Sequence, residues 1–278
     1  MTVRLVTDSA ADIPADLAAE LAITLVPLSI RFGSEEFVDG RDLTPKAFYD
    51  RMASSPVLPE TAAPAPGAFA GAFQEAAGSA DDAVVCVTIS SLLSATIESA
   101  RAGARSRPEL DVRIVDSRSV TWGQGSQVVA AARAAQAGAS ADEVTALIEQ
   151  MIPRTRVYGA LDTLENLKKG GRIGNAQALV GTLLSIKPIV DLSSGVTEEA
   201  GKVRTRAKAM RALVERVTAA GPIENLAVMH GHAPDVDQLV DLLAEVHPRD
   251  DIHVGEIGAT VGVHGGPRVM GVTFQVVP

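Results

Sequence analysis

The chain alternates between short apolar runs and segments with a helical spacing of apolar residues. "VRLVT" at 3–7, "ITLVPLSIRF" at 23–32, "DAVVCVTI" at 82–89 and "DVRIVDS" at 111–117 read as strands. Between them, Pro14 opens a helix reaching about Leu21, Thr44 caps a helix begun by Pro45, and 67–77 forms a third. "GSEEFVDG" reads as a short polar strand or hairpin, and "SSPVLPETAAPAPG" as a loop too rich in proline for a regular element. From about Leu92 a helix places Leu93, Ile97, Ala100 and Ala104 on one face, and Ala-rich helices follow at 122–137 and 140–151. Strands alternating with helices predict a parallel α/β sheet.

The pattern changes near Arg154. "RVYGALDTL" reads as a strand and turn, and "LENLKKGGRIGNAQALVGTLLSI" as helix, Gly-rich loop, helix. "KPIVDL" and "SGVTEEA" form a hairpin turning at Ser194-Gly195. Helix 205–219, strand "NLAVMH", helix 235–246 and the strand-like runs "IHVGEIG", "ATVGVHG" and "VMGVTFQVV" complete the chain. Late strands without helices between them predict a mixed sheet. The expected architecture is α/β with two α/β domains, 1–153 with a mainly parallel sheet and 154–278 with a mixed one.

The 278 residues are 46% hydrophobic and 21% charged, enough for a sizeable core. A net charge of -9 and only 3% aromatics argue against a nucleic-acid surface. The single Cys86 lies in an apolar run and points to a reducing, cytoplasmic setting. No stretch approaches the roughly 18 apolar residues of a membrane span, and no signal peptide is apparent, so any membrane contact is expected to be peripheral and transient.

Candidate chemistry centres on "VVCVTISSLLSATIESA" at 84–100, where Thr88, Ser90, Ser91, Ser94 and Thr96 crowd the mouth of a helix. A helix N-terminus has unpaired N–H groups and suits an anion. One hydroxyl suffices as a cap, while Ser94 is placed inside the first turn, facing a ligand. Thr61 stands in the Pro-studded loop, "GGRIGNAQ" at 170–177 carries Arg172, and His264 ends a strand-like run before two glycines. Asp8 and Ser9 close the first strand, where ligands gather in open α/β sheets, or form an Asx turn. The pair His230 and His232 lacks further ligands for a metal set, and "GQGS" around Ser126 does not have the spacing of a nucleophile elbow.

Together these segments resemble the DegV family. "VTDSAADIP", "TAAPAPGAF", "ISSLLSATIESA", "VDSRSVTWGQG", "LENLKKGGRIG", "LLSIKPI", "VRTRAKA" and "VHGGPRVMG" follow the family's order along essentially the whole chain. The resemblance implies two α/β domains and a long-chain fatty acid ligand, with no cofactor. The acyl chain would lie in an apolar tunnel, largely in the C-terminal domain, with the carboxyl end near the domain junction. It also implies a non-catalytic carrier presenting the carboxylate to an ATP-dependent fatty acid kinase, which makes an acyl phosphate. On the family's motifs, Thr61, Ser94 with its neighbour Ala95, and His264 fall on the carboxylate-binding positions. Arg172 and Arg204 fall on arginines that would face the kinase or the phosphate. Ala62 stands where the family has Ser, Ala95 where it has Gly, and Gly265 where it has Thr. A rival reading is an acyl hydrolase using Ser94 with His264, and another is a carrier of a different small anion. A tail of about fifteen methylenes supplies on the order of 10 kcal/mol gross, so the tail would set affinity and the hydroxyls orientation.

Overall fold

The computed structural model describes residues 2–79, 82–179 and 186–278. The first half holds strands β1 (Val3–Asp8), β2 (Ile23–Val26), β3 (Ser29–Phe32), β4 (Glu35–Val38), β5 (Glu60–Ala62), β6 (Ala83–Thr88) and β7 (Asp111–Asp116). Its helices are α1 (Ala15–Glu20), α2 (Pro45–Ser54), α3 (Pro66–Ala77), α4 (Thr96–Arg105), α5 (Trp122–Gln136) and α6 (Ala141–Met151). The second half holds β8 (Thr155–Ala160), β9 (Lys187–Asp191), β10 (Glu198–Val203), β11 (Ile223–His230), β12 (His253–Glu256) and β13 (Met270–Val276). Its helices are α7 (Glu165–Lys169), α8 (Arg206–Ala219), α9 (Val236–Ala244) and α10 (Ala259–Gly265).

The fold is α/β as the sequence pattern predicts. Strands β2-β1-β6-β7 form a parallel sheet. Along β6, Val85 and Val87 face a core shared with α5 and α6, while Val84 and Cys86 face Phe69 and Phe73 of α3. Burial on both faces explains the unbroken apolar run, since successive side chains point to opposite sides. Strands β10-β9-β8-β13-β11-β12 form the mixed sheet, antiparallel except for β11 with β12. One face packs on α8 and α9 through Val228, Val272 and Phe274. The other turns Val190, Met229 and Val269 into the same cluster as Leu5, Val85 and Trp122 of the first half.

Four local expectations are corrected. "ITLVPLSIRF" is two strands, because Pro27 lacks an N–H and ends β2 in the parallel sheet. The chain continues as β3 in a separate antiparallel sheet of order β4-β3-β5. The proline-rich loop contains β5, an edge strand between Pro59 and Pro64 that pairs with β3 through Ile30 and Thr61. "ATVGVHG" is α10, not a strand. Gly262 lets this helix press on α2, since a Cβ there would lie 2.6 Å from Tyr49 Oη. Ala259 and Val263, four residues apart, bury beside Phe48 and Tyr49. This packing overrides the period-2 valines of the run. The expected helix after the Gly-rich loop is a 3-10 segment over Gly174–Leu179, and its continuation over 180–185, with the first three residues of "LLSIKPI", lies outside the described residues.

Candidate functional site

Thr61 and His264 meet where β5 abuts α10. Thr61 Oγ1 lies 3.2 Å from His264 Nε2. The ring is wedged against the turn after α7, where a Cβ on Gly170 would come within 2.3 Å of His264 Nδ1. That Nδ1 is buried and has no hydrogen-bond partner among the described residues. Burial, followed by the nearby Arg172 charge, pushes the imidazole pKa down from 6.5 to about 4. His264 is therefore neutral near pH 7 and carries one N–H.

Ser94 sits ahead of its helix, not within the first turn. α4 begins at Thr96, and residues 91–94 form a turn closed by Leu93 N–H and Ser94 N–H donating to the Ser90 carbonyl at 2.9 and 3.1 Å. Ser94 Oγ accepts from Thr96 N–H at 3.3 Å and shares a 2.8 Å hydrogen bond with Thr96 Oγ1. Ser90 caps nothing. Its hydroxyl donates to the Gly195 carbonyl at 2.5 Å and joins the two halves. Ala95 is exposed at the N-cap with φ -78° and ψ 9°, a conformation open to any residue, so its Cβ adds no backbone strain.

Arg172 ties two turns together. Its Nε–H donates to the Leu93 carbonyl at 3.0 Å and an Nη1–H to the Gly170 carbonyl at 2.8 Å. Arg204 stands exposed between β10 and α8 and lines neither cavity described below.

Behind this group opens a cavity walled by both halves of the chain. Its wall is mainly aliphatic: Ile89 and Leu93 from the first half face Val157, Leu161, Val190 and Met229 from the second. In front lies a polar pocket lined by Glu60, Asn166 and Lys169. Thr61, Arg172 and His264 line both spaces, and Ser94 lines the inner one. The structure thus brings Thr61, Ser94, Arg172 and His264 around one neck and leaves Ala95 and Arg204 away from it. The neck offers hydroxyl and imidazole donors with a guanidinium beside them, a set suited to the oxygens of an anion. The pairing needed for a Ser–His nucleophile is not formed, because Ser94 Oγ bonds Thr96 and the imidazole neighbours Thr61.

Sequence reasoning missed the bracing around the neck. Asp12 accepts from Thr121 Oγ1–H at 2.6 Å and from Gly258 N–H at 2.9 Å. Asp39 accepts from Ser9 Oγ–H at 2.9 Å and from Thr260 Oγ1–H at 2.5 Å. Both carboxylates reach from the first half to the start of α10 and so hold the helix that bears His264. Burial raises the Asp12 pKa from 3.8 to about 8 and that of Asp8 to about 6. Asp8 accepts from Ala10 N–H at 3.1 Å, the Asx turn that "VTDSAADIP" suggests. Asp12 stands in the same segment, but its partners Thr121 and Gly258 lie 109 and 246 residues away.

The full-length match to known proteins is consistent. A family model described as "Uncharacterised protein, DegV family" matches residues 2–276. A DegV domain-containing protein of Streptomyces coelicolor is 37% identical, covering 98% of each chain. Protein DegV of Bacillus subtilis is 31% identical over 99% of each. Among solved structures, a DegV family protein from Thermus thermophilus, described as fatty acid binding, superposes with a TM-score of 0.92 at 33% identity over 100% of both chains. DegV from Bacillus subtilis, described as a fatty acid binding protein, gives 0.86 at 29% identity, also over 100% of both chains. The chain belongs to the DegV family.

Proposed function

We propose that this protein binds a long-chain fatty acid, with the carboxylate at Thr61, Ser94 and His264 and the tail in the aliphatic cavity. The observation that carries this reading is the neck: an apolar cavity and a polar pocket share Thr61, Arg172 and His264 as common walls. An amphiphile with one acidic end matches that division. Each buried methylene contributes about 0.8 kcal/mol, and the neck's donors offset the cost of desolvating the carboxylate. The relatives from Thermus thermophilus and Bacillus subtilis described as fatty acid binding support the same class of ligand.

In this reading the protein is a carrier, not a catalyst. It presents the carboxylate through the polar pocket to an ATP-dependent fatty acid kinase, which forms the acyl phosphate. Arg172 stands at the exit to meet the transferred phosphate, and the exposed Arg204 belongs to the kinase-facing surface. The cytoplasm, where such a partner finds ATP, is the proposed location. Among the described residues no helix is long and apolar enough to cross a membrane. Most of the tunnel wall is assigned to 154–278, the proposed C-terminal domain.

The test is mass spectrometry of the denatured, purified protein, followed by titration of the delipidated protein with a long-chain fatty acid. One equivalent of co-purifying fatty acid and saturable rebinding are expected. No fatty acid in any preparation, together with no rebinding, overturns the reading. For the partner, Arg172→Ala should reduce kinase-coupled acyl phosphate formation more than fatty acid binding, and an equal loss in both would remove Arg172 from the phosphate side.

A further inference from the structure

Four threonines besides Thr61 line the aliphatic cavity: Thr121, Thr197, Thr260 and Thr273. Two have their hydroxyls engaged, Thr121 with Asp12 at 2.6 Å and Thr260 with Asp39 at 2.5 Å. The other two do not. Thr197 is 0% and Thr273 2% exposed, and neither Oγ1 has a hydrogen-bond partner among the described residues. Buried hydroxyls are nearly always paired, so two orphans in one cavity need an explanation.

Thr273 is the more telling. In β13, Val272 and Phe274 face α8 and α9, so Gly271 and Thr273 face the cavity. Directly opposite Thr273 on β8 stands Val157, which lines the same cavity. Valine fills nearly the same shape without a polar atom, so a cavity meant only for hydrocarbon would be better lined by Val at both places. A saturated tail would displace any water there and leave both hydroxyls unpaired.

We infer that the cavity takes an acyl chain bearing a hydrogen-bonding oxygen, a hydroxyl or a ketone, along its length as well as a carboxylate at its end. This rests on the fatty acid reading given above. The register also places the oxygen. Val269 packs beside Gly265, the neighbour of His264, and Thr273 lies four residues further along extended backbone, roughly 13 Å away. The oxygen therefore belongs near the middle of an eighteen-carbon chain, not beside the carboxylate.

The experiment compares dissociation constants of the delipidated protein for octadecanoic acid and for its monohydroxy isomers substituted near the acid, near the middle and near the methyl end. Mid-chain isomers are expected to bind about tenfold more tightly than the other isomers. Thr273→Val should abolish that advantage and tighten octadecanoic acid binding severalfold, because the hydroxyl a saturated tail leaves unpaired is gone, with far-UV circular dichroism confirming the fold. Wild-type protein that binds octadecanoic acid but shows no mid-chain optimum overturns this inference alone. Failure to bind octadecanoic acid and every isomer overturns it together with the fatty acid reading. Ordered water on Thr273 Oγ1 beside a bound octadecanoate in a crystal structure also overturns it.

Discussion

Thr61 Oγ1 and His264 Nε2 lie 3.2 Å apart although 203 residues separate them in the chain. The contact joins an edge strand of the small antiparallel sheet to the last turn of α10. Both residues line the aliphatic cavity and the polar pocket, so both side chains are within reach of a carboxylate placed between the two spaces. Thr61→Val and His264→Ala should each weaken fatty acid binding by about tenfold to a hundredfold, the range of a hydrogen bond to a charged group. The double variant should be little worse than the poorer single one, because the two groups act on one carboxylate. Isothermal titration measures this. A methyl ester of the same fatty acid, lacking the charge, should bind all variants alike, and a comparable loss with the ester would contradict the assignment.

Gly170 tests the neck without removing any polar group. It has negative φ, so alanine is allowed by the backbone. The added methyl would nevertheless lie 2.3 Å from His264 Nδ1 and 2.8 Å from Cε1. Gly170→Ala should displace the ring and weaken fatty acid binding at least about tenfold, while thermal stability falls by only a few degrees. Unchanged affinity would show that the ring position does not govern binding.

The buried titratable groups act on stability with opposite signs. Folded His264 has a pKa of about 4 against 6.5. Between those values the unfolded chain binds more protons, so this group lowers stability as pH falls from about 6.5 to 4. Asp12 has a folded pKa of about 8 against 3.8. Here the folded state binds more protons, and stability is lost as pH rises from about 4 through 8. Asp12→Asn keeps an acceptor for Gly258 N–H and offers Thr121 a donor. It should remove the alkaline loss, a difference on the order of a few kcal/mol at pH 8. Urea denaturation at a series of pH values checks this, and parallel profiles for variant and wild type would contradict it.

The two sheets divide near residue 153, yet Leu5, Val85 and Trp122 share one hydrophobic cluster with Val190, Met229 and Val269. The proposed domains 1–153 and 154–278 should therefore unfold together. Scanning calorimetry should show one transition whose calorimetric and van't Hoff enthalpies agree. Two resolved transitions would mean that the shared cluster contributes little to cooperativity.

Much of this architecture was legible in the chain because its causes are local. Apolar runs, the Thr44 cap and the prolines at the starts of α1 and α2 mark where elements begin. The change from alternating strand and helix to consecutive strands foretold the mixed sheet. The candidate residues Thr61, Ser94, Arg172 and His264 were also picked out, by their motifs. Their local settings were misread. Thr61 was assigned to a loop, Ser94 to a helical turn and His264 to a strand end.

Those errors share one origin. β5 exists only because β3 supplies its partners, as an isolated three-residue strand between prolines has none. α10 is helical because Gly262 allows close contact with Phe48 and Tyr49, against the preference of its valines. Periodicity records which residues will be buried and in which kind of element. It does not record which distant surface buries them, and here that surface decided the neck, the bracing by Asp12 and Asp39, and the unpaired hydroxyls of the cavity.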